Sequence, residues 1–261
     1  MASQPKGYVD TSYLDAMQKL VNNFKRLTYE QMRVQPGQKV LDVGCGPGTD
    51  TIPLAQWVGP AGQVIGVDYD AEMIAEAEKR ALKAEVSAWV IHKQADANAL
   101  PFEPETFDAC RSERLFQHLH DPAKALSEMR RVTKSGGWMV VLDSDWGTLS
   151  IDTSETEAER RYVRFYTEHM MNNGYSGRQL YRLFKQQGFV EVSVEMCSGP
   201  FTDYAFARQI FVMDSGEREA LAAGVVTNQD IDRLHTGWEQ ANAEGAFFAS
   251  ASMILVSGRK L

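Results

Sequence analysis

The chain has 261 residues, enough to bury a full core in one large domain and still carry additional elements. Its 27 lysines and arginines against 35 aspartates and glutamates leave a formal net charge of -8, which argues against a general nucleic-acid binder. Cys45, Cys110 and Cys197 have no close ligand spacing, which argues against a disulfide scaffold or a cysteine-rich zinc site. No apolar run approaches a membrane span and the start lacks the blocks of a secretory signal, so a soluble, cytoplasmic protein is expected.

Residues 8–32 place Tyr13, Met17, Leu20, Phe24, Leu27 and Tyr29 at a largely helical rhythm. They predict a helical segment ahead of the first strand, either a layer over the sheet or a lid in which Tyr8 and Tyr13 help close a cleft. Val40, Leu41 and Val43 then read as a short buried strand that runs into Gly44-Cys45-Gly46-Pro47-Gly48. Glycine accepts positive φ and lets a ligand lie against the main chain. Thr49 and Asp50 are placed to cap the helix that follows. The dinucleotide fingerprint G-x-G-x-x-G needs glycine where this chain has Thr49, which turns the reading away from a nicotinamide enzyme.

Val64-Ile65-Gly66-Val67-Asp68 is a second apolar strand ending in an acid, and a carboxylate at that place can accept both hydroxyls of a ribose. Residues 71–82 are rich in good helix formers, with Met73 and Ile74 able to face an adenine ring or simply the core. Trp89, Val90 and Ile91 open the next strand. Asp96 behind it can accept from an exocyclic amine. A fourth strand is read at 107–111, an Asp121-Pro122 helix start after it, and a dense apolar fifth strand at 138–142. This alternation is an α/β signal. After the fifth strand, helices are expected over 154–171 and 179–187, a strand through Val192, Val194 and Met196, helical cap material over 201–244, and a last strand at 253–256.

Asp42-Val43-Gly44-Cys45-Gly46-Pro47-Gly48-Thr49, joined to Val67-Asp68 and then to Asp96-Ala97, resembles the class I S-adenosylmethionine-dependent methyltransferases, in particular their small-molecule branch of quinone, sterol and specialised-metabolite enzymes. The resemblance covers the chain from about residue 37 to its end. It implies a Rossmann-like, mostly parallel seven-stranded sheet of order 3-2-1-4-5-7-6, the last strand antiparallel, sandwiched by helices. On that reading residues 1–36 form the lid or layer. Residues 37–261 form the methyltransferase domain, with helical insertions at about 151–175 and 200–245.

The cofactor so implied is S-adenosylmethionine, with S-adenosylhomocysteine as product. Asp42, Gly44, Gly46 and Gly48 would surround its methionine portion, and Asp68 would hold the ribose. Met73, Asp96 and Ala97 would meet the adenine, and Arg111 would lie near the sulfonium and the carboxylate end. Residues 111–119 lack the Asn-Pro-Pro-Tyr type of motif that grips a flipped base, which favours a small-molecule acceptor over nucleic acid.

Methyl transfer from a sulfonium needs alignment more than a protein nucleophile, and no triad is evident. His118 is the first candidate base for an acceptor proton, against a structural role, and His120 lies beside it. The pair with Asp121 makes no convincing metal site. Glu113 is a second proton acceptor or a partner for a substrate amine. Asp143 and Asp145, two positions apart on a strand, would face one side and either bind a polar substrate or cap the next helix. Trp146, His169 and Tyr175 are candidates for a substrate wall, with Tyr13 from the lid, and Arg178 for an acidic substrate. The sequence leaves open a monomer or a homodimer.

Overall fold

The computed structural model describes Thr11 and residues 24–261. Seven strands form one sheet: β1 (Lys39–Val43), β2 (Gln63–Asp68), β3 (Val90–Gln94), β4 (Phe107–Glu113), β5 (Thr133–Ile151), β6 (Val190–Phe201) and β7 (Ala249–Arg259). Their order is β3-β2-β1-β4-β5-β7-β6. The first five pair in parallel, and β7 runs antiparallel to both β5 and β6. The expected topology is therefore the observed one.

Alternation along the strands sorts their side chains onto two buried faces. Val40, Ala109, Val140 and Leu142 face one core together with Tyr29, Leu54, Tyr162 and Phe211, while Leu41, Cys110, Met139 and Val141 face the other with Leu126, Leu180 and Phe184. The helix over residues 24–31 (α1), α2 (Thr51–Val58) and α5 (Thr156–His169) thus cover the first face. α4 (Pro122–Val132) and α6 (Ser176–Gln186) cover the second. α3 (Ala71–Lys83) joins β2 to β3. The central strands carry near-continuous apolar runs because both their faces are covered.

Among the described residues, four of the helix starts are capped by side chains, at Asp70, Asp121, Asp203 and Thr227. Asp121 accepts from the Lys124 N–H ahead of Pro122, and Asp70 accepts from the Glu72 N–H at the start of α3. Thr227 and Asp230 close a capping box on α9 (Asn228–Ala243), which packs with α7 (Tyr204–Ile210) and α8 (Met213–Ala222) as helical cap material. Asp50, expected to cap α2, makes no capping bond to it. It turns inward to buried cations, as described below.

The fifth strand runs well beyond 142, to Ile151. Leu149 and Ile151 are buried and the strand resumes pairing with β7 after a register break that follows Asp145. Val194 and Met196 stand exposed because β6 is the sheet edge, paired only with β7. Among the described residues no helix is long and apolar enough to cross a membrane. Tyr8 and Tyr13 lie outside the described residues.

Candidate active site

In an open parallel sheet, ligands bind beyond the carboxyl ends of the strands. The carboxyl ends of β1 and β2 here carry the glycine turn and Asp68. Gly44, Gly46 and Gly48 all have positive φ, at 75°, 51° and 80°. The Gly44 and Cys45 N–H groups donate to the Val67 carbonyl, so the turn is sewn to β2. The turn also has no slack: a Cβ on Gly66 would lie 2.8 Å from both Cys45 Sγ and Thr51 Cγ2. Asp68 is half-buried and accepts from the Gly46 N–H at 2.9 Å and the Asp70 N–H at 3.0 Å, one on each oxygen. Each carboxylate oxygen has a second lone pair, so acceptor capacity for two hydroxyls is left. Burial raises the carboxyl above its ordinary range, against these N–H donors.

Asp96 is exposed beyond β3, its Oδ1 turned to the Asn98 N–H. Ala97 and Met73 are buried. The three expected cofactor landmarks therefore lie at or just beyond the ends of three neighbouring strands.

A buried ionic cluster stands next to the turn. Asp42 and Arg111 are partners in the β1–β4 register, and alternation puts both on the face covered by α1. Arg111 Nη1 lies 3.1 Å from Asp42 Oδ1 and 3.1 Å from Asp50 Oδ2, and Nη2 lies 2.8 Å from Glu113 Oε2. Lys25 of α1 reaches Asp50 at 2.9 Å and Glu113 at 3.1 Å, and Tyr29 of α1 donates its hydroxyl to Asp50. Burial works against the charge on Arg111, but Asp50, Asp42 and Glu113 outweigh it. Burial likewise acts to raise the Asp50 carboxyl, yet Arg111 and Lys25 hold it well below the ordinary range. Asp42 goes the other way, because its burial exceeds what Arg111 returns.

Among the described residues, two atoms in this cluster have no hydrogen-bond partner: Asp42 Oδ2, an acceptor, and Arg111 Nε, a donor. Glu113, the second candidate proton acceptor, has both oxygens engaged as a counter-ion, by Arg111, Lys25 and Arg114. Arg111 is fully buried and its terminal nitrogens are taken by carboxylates. Lys25, Tyr29 and Asp50 were not among the site residues read from the sequence. The four-residue spacing of Lys25 and Tyr29, which places both on one helix face, was the available signal.

His118 is half-buried in a 3-10 turn, Phe116–His118, just beyond β4, with a ring nitrogen 3.1 Å from Gln117 Nε2. The turn is tied to the α5–α6 connection: Asn172 Nδ2 donates to the His118 carbonyl and the Asn173 N–H to the Gln117 carbonyl. Trp146 is buried on the α5 side, donating from its indole to Gln117 Oε1 at 2.7 Å and meeting Tyr166 and Phe211 edge-on.

Asp143 and Asp145 share a side, as the strand period requires, but that side is covered by α6. Asp143 accepts from the Phe116 N–H, the Ser144 N–H and the Ser176 hydroxyl, and Asp145 pairs with Arg178 at 2.7 Å. They fasten the start of α6 and the turn after β4. Arg178 is thereby committed to Asp145 and stacks over Tyr175, whose hydroxyl points to Glu168. His169 is exposed, lies flat on Phe165 of its own helix and meets that residue's carbonyl, a helix-end contact.

The sequence profile of a family described as a methyltransferase domain matches residues 35–188, more than half of the chain. The chain belongs to the class I S-adenosylmethionine-dependent methyltransferases. An uncharacterised 37.1 kDa protein of transposon Tn4556 from Streptomyces fradiae is 36% identical over 249 residues, which cover 95% of this chain and 70% of that protein. A demethylmenaquinone methyltransferase of Lysinibacillus sphaericus is 32% identical over 193 residues, 66% of this chain and 78% of that one. In fold, the chain resembles the YcgJ protein of Bacillus subtilis, with a TM-score of 0.66 at 19% identity, covering 92% of this chain and 98% of the other.

Family and fold imply S-adenosylmethionine as cofactor, and the residues of this chain fit it. The orphaned acceptor on Asp42 and the orphaned donor on Arg111 match the two ends of an α-amino acid. The glycine turn opens backbone, and Asp68 keeps lone pairs for a ribose.

Proposed function

We propose that the protein transfers a methyl group from S-adenosylmethionine to an oxygen, nitrogen or carbon atom of a small, aromatic or partly apolar metabolite, leaving S-adenosylhomocysteine. The observation that carries this reading is the pair of orphaned buried groups, Asp42 Oδ2 and Arg111 Nε, beside the glycine turn and Asp68. When bound, the cofactor supplies a methyl group already activated by a positive sulfur. Gly44, Gly46 and Gly48 would lie along the methionine portion and Asp68 would accept the ribose hydroxyls. Met73, Asp96 and Ala97 would form the adenine side. Alignment of donor and acceptor accounts for most of the rate gain, so no covalent protein intermediate is needed.

His118 is the proposed base for an acceptor that must lose a proton. It lies beyond β4 on a turn braced by Asn172 and Asn173, which fits a group held in one place. Trp146, Tyr166, Phe201 and Phe211 pack edge to face in the core beneath the cap. The relative named as a demethylmenaquinone methyltransferase makes quinone-type acceptors one class to screen. A role in secondary metabolism and a cytoplasmic location belong to the same proposal, and the acceptor rather than nucleic acid is its partner.

The test is a calorimetric titration with S-adenosylmethionine, S-adenosylhomocysteine and NAD side by side. Selective binding of both adenosyl ligands is expected. Binding of NAD alone would establish an oxidoreductase, and no heat from any of the three would leave a binding protein on a methyltransferase fold.

A further inference from the structure

The ionic cluster under α1 pairs its carboxylates unevenly. Its carboxylates are Asp42, Asp50 and Glu113, and its fully enclosed cations are Arg111 and Lys25, whose side chains are 0% and 3% exposed. A third cation, Arg114, touches only Glu113, at 3.4 Å on the rim. Asp50 has contacts from Lys25, Arg111 and Tyr29, and Glu113 from Arg111, Lys25 and Arg114. Asp42 has one, and it shares that Arg111 nitrogen with Asp50. Asp42 is therefore the least compensated carboxylate of the cluster. A buried, singly paired carboxylate is costly, and the molecule relieves the cost by protonation or by accepting another cation.

The groups that act on Asp42 come from every element around it: Arg111 and Glu113 from β4, Asp50 from the turn before α2, and Lys25 from α1, with Cys45 beside it in the glycine turn. Tyr29 of α1 is bonded to Asp50. Their sum leaves the Asp42 carboxyl raised by burial, which agrees with the contact geometry. Deep burial keeps bulk water from substituting for the missing partner.

We propose that Asp42 exchanges its proton for the ammonium group of the bound ligand: the carboxyl O–H bond breaks, the proton leaves to solvent, and the cation takes its place at Oδ2. This rests on the function proposed above, and it adds a property that fold and family do not supply, namely that ligand binding releases a proton. Adenosine, which lacks the amino-acid end, offers no such cation. Asp42 thus also distinguishes the complete ligand from its nucleoside fragment in a pH-dependent way.

Calorimetry of S-adenosylhomocysteine binding in two buffers of different ionisation enthalpy counts the protons directly. At a pH of about 5.5 the expected count approaches one released proton, and near pH 8 it approaches zero; affinity falls up to about tenfold per pH unit on the acid side. Adenosine should bind with no proton release across that range. Asp42→Asn should bind S-adenosylhomocysteine more weakly, with the proton count and the pH dependence gone. If that variant does not fold, the wild-type comparison of the two ligands decides alone. Binding of S-adenosylhomocysteine with no buffer dependence, or an equal count with adenosine, would overturn the exchange while leaving the methyltransferase reading intact. Failure of both adenosyl ligands to bind would overturn the two together.

Discussion

Asp42 and Arg111 stand opposite each other across β1 and β4, with Arg111 Nη1 3.1 Å from Asp42 Oδ1 and both side chains shut away from solvent. A parallel register is what makes this pair: residues side by side on neighbouring strands project to the same face. The pair anchors the end of the sheet where the glycine turn departs, so its charge state bears on both folding and binding.

Arg111→Met should be severely destabilising. It leaves Asp42, Asp50 and Glu113 facing Lys25 as the one enclosed cation. Breaking one partner out of a buried ion pair costs about 3–5 kcal/mol. Denaturant unfolding should show the loss, and a variant as stable as the parent would show that the cluster is dispensable.

Tyr29→Phe tests the hold of α1 on the turn. The lost hydroxyl donates to a carboxylate, and hydrogen bonds to charged groups contribute about 1.5–3 kcal/mol. Asp42 is only 1% exposed, so a ligand reaches it only when a neighbour moves, and α1 is the covering element outside the sheet. Amide exchange over residues 24–31 should quicken in this variant, with exchange in β1 and β4 little changed.

Gly66→Ala should act on binding through the back of the turn. The new methyl would lie 2.8 Å from Cys45 Sγ and from Thr51 Cγ2, so the turn must shift. Overpacking of this kind costs roughly 1–3 kcal/mol, and a turn displaced from its ligand should weaken S-adenosylhomocysteine binding by about tenfold or more. Calorimetry on the folded variant is the measurement.

His92 sets part of the acid stability. It is buried on β3 with a ring nitrogen 2.8 Å from the Thr51 hydroxyl, and burial lowers it to about 4. The folded state therefore binds fewer protons than the unfolded chain between the ordinary histidine range and about 4, and stability falls as pH drops through that window. His92→Gln should flatten that slope in unfolding curves taken at several pH values.

Asp143→Ala separates the structural role of that acid from a substrate role. Three donors, the Phe116 N–H, the Ser144 N–H and the Ser176 hydroxyl, would lose their acceptor. A loss of about 2–4 kcal/mol in stability is expected, with cofactor affinity kept in the folded fraction. An unchanged unfolding midpoint with a loss of turnover would return Asp143 to the substrate.

What the sequence determined by itself is the local and periodic part. Apolar runs of strand length, the glycines at positive φ, the acid closing the second strand and the Asp121-Pro122 cap are each written in a few neighbouring residues, so the fold is legible in the sequence. What only the tertiary structure decided is which side each polar residue faces and what it meets there. Asp50 has a capping residue's position and composition, yet Lys25 and Tyr29 arrive from a helix far back in the chain and take its carboxylate. Asp143 and Asp145 were correctly put on one side, but only packing shows that α6 covers that side. A buried charge takes whatever counter-charge the fold delivers, and that delivery depends on contacts between distant segments, which no local pattern records.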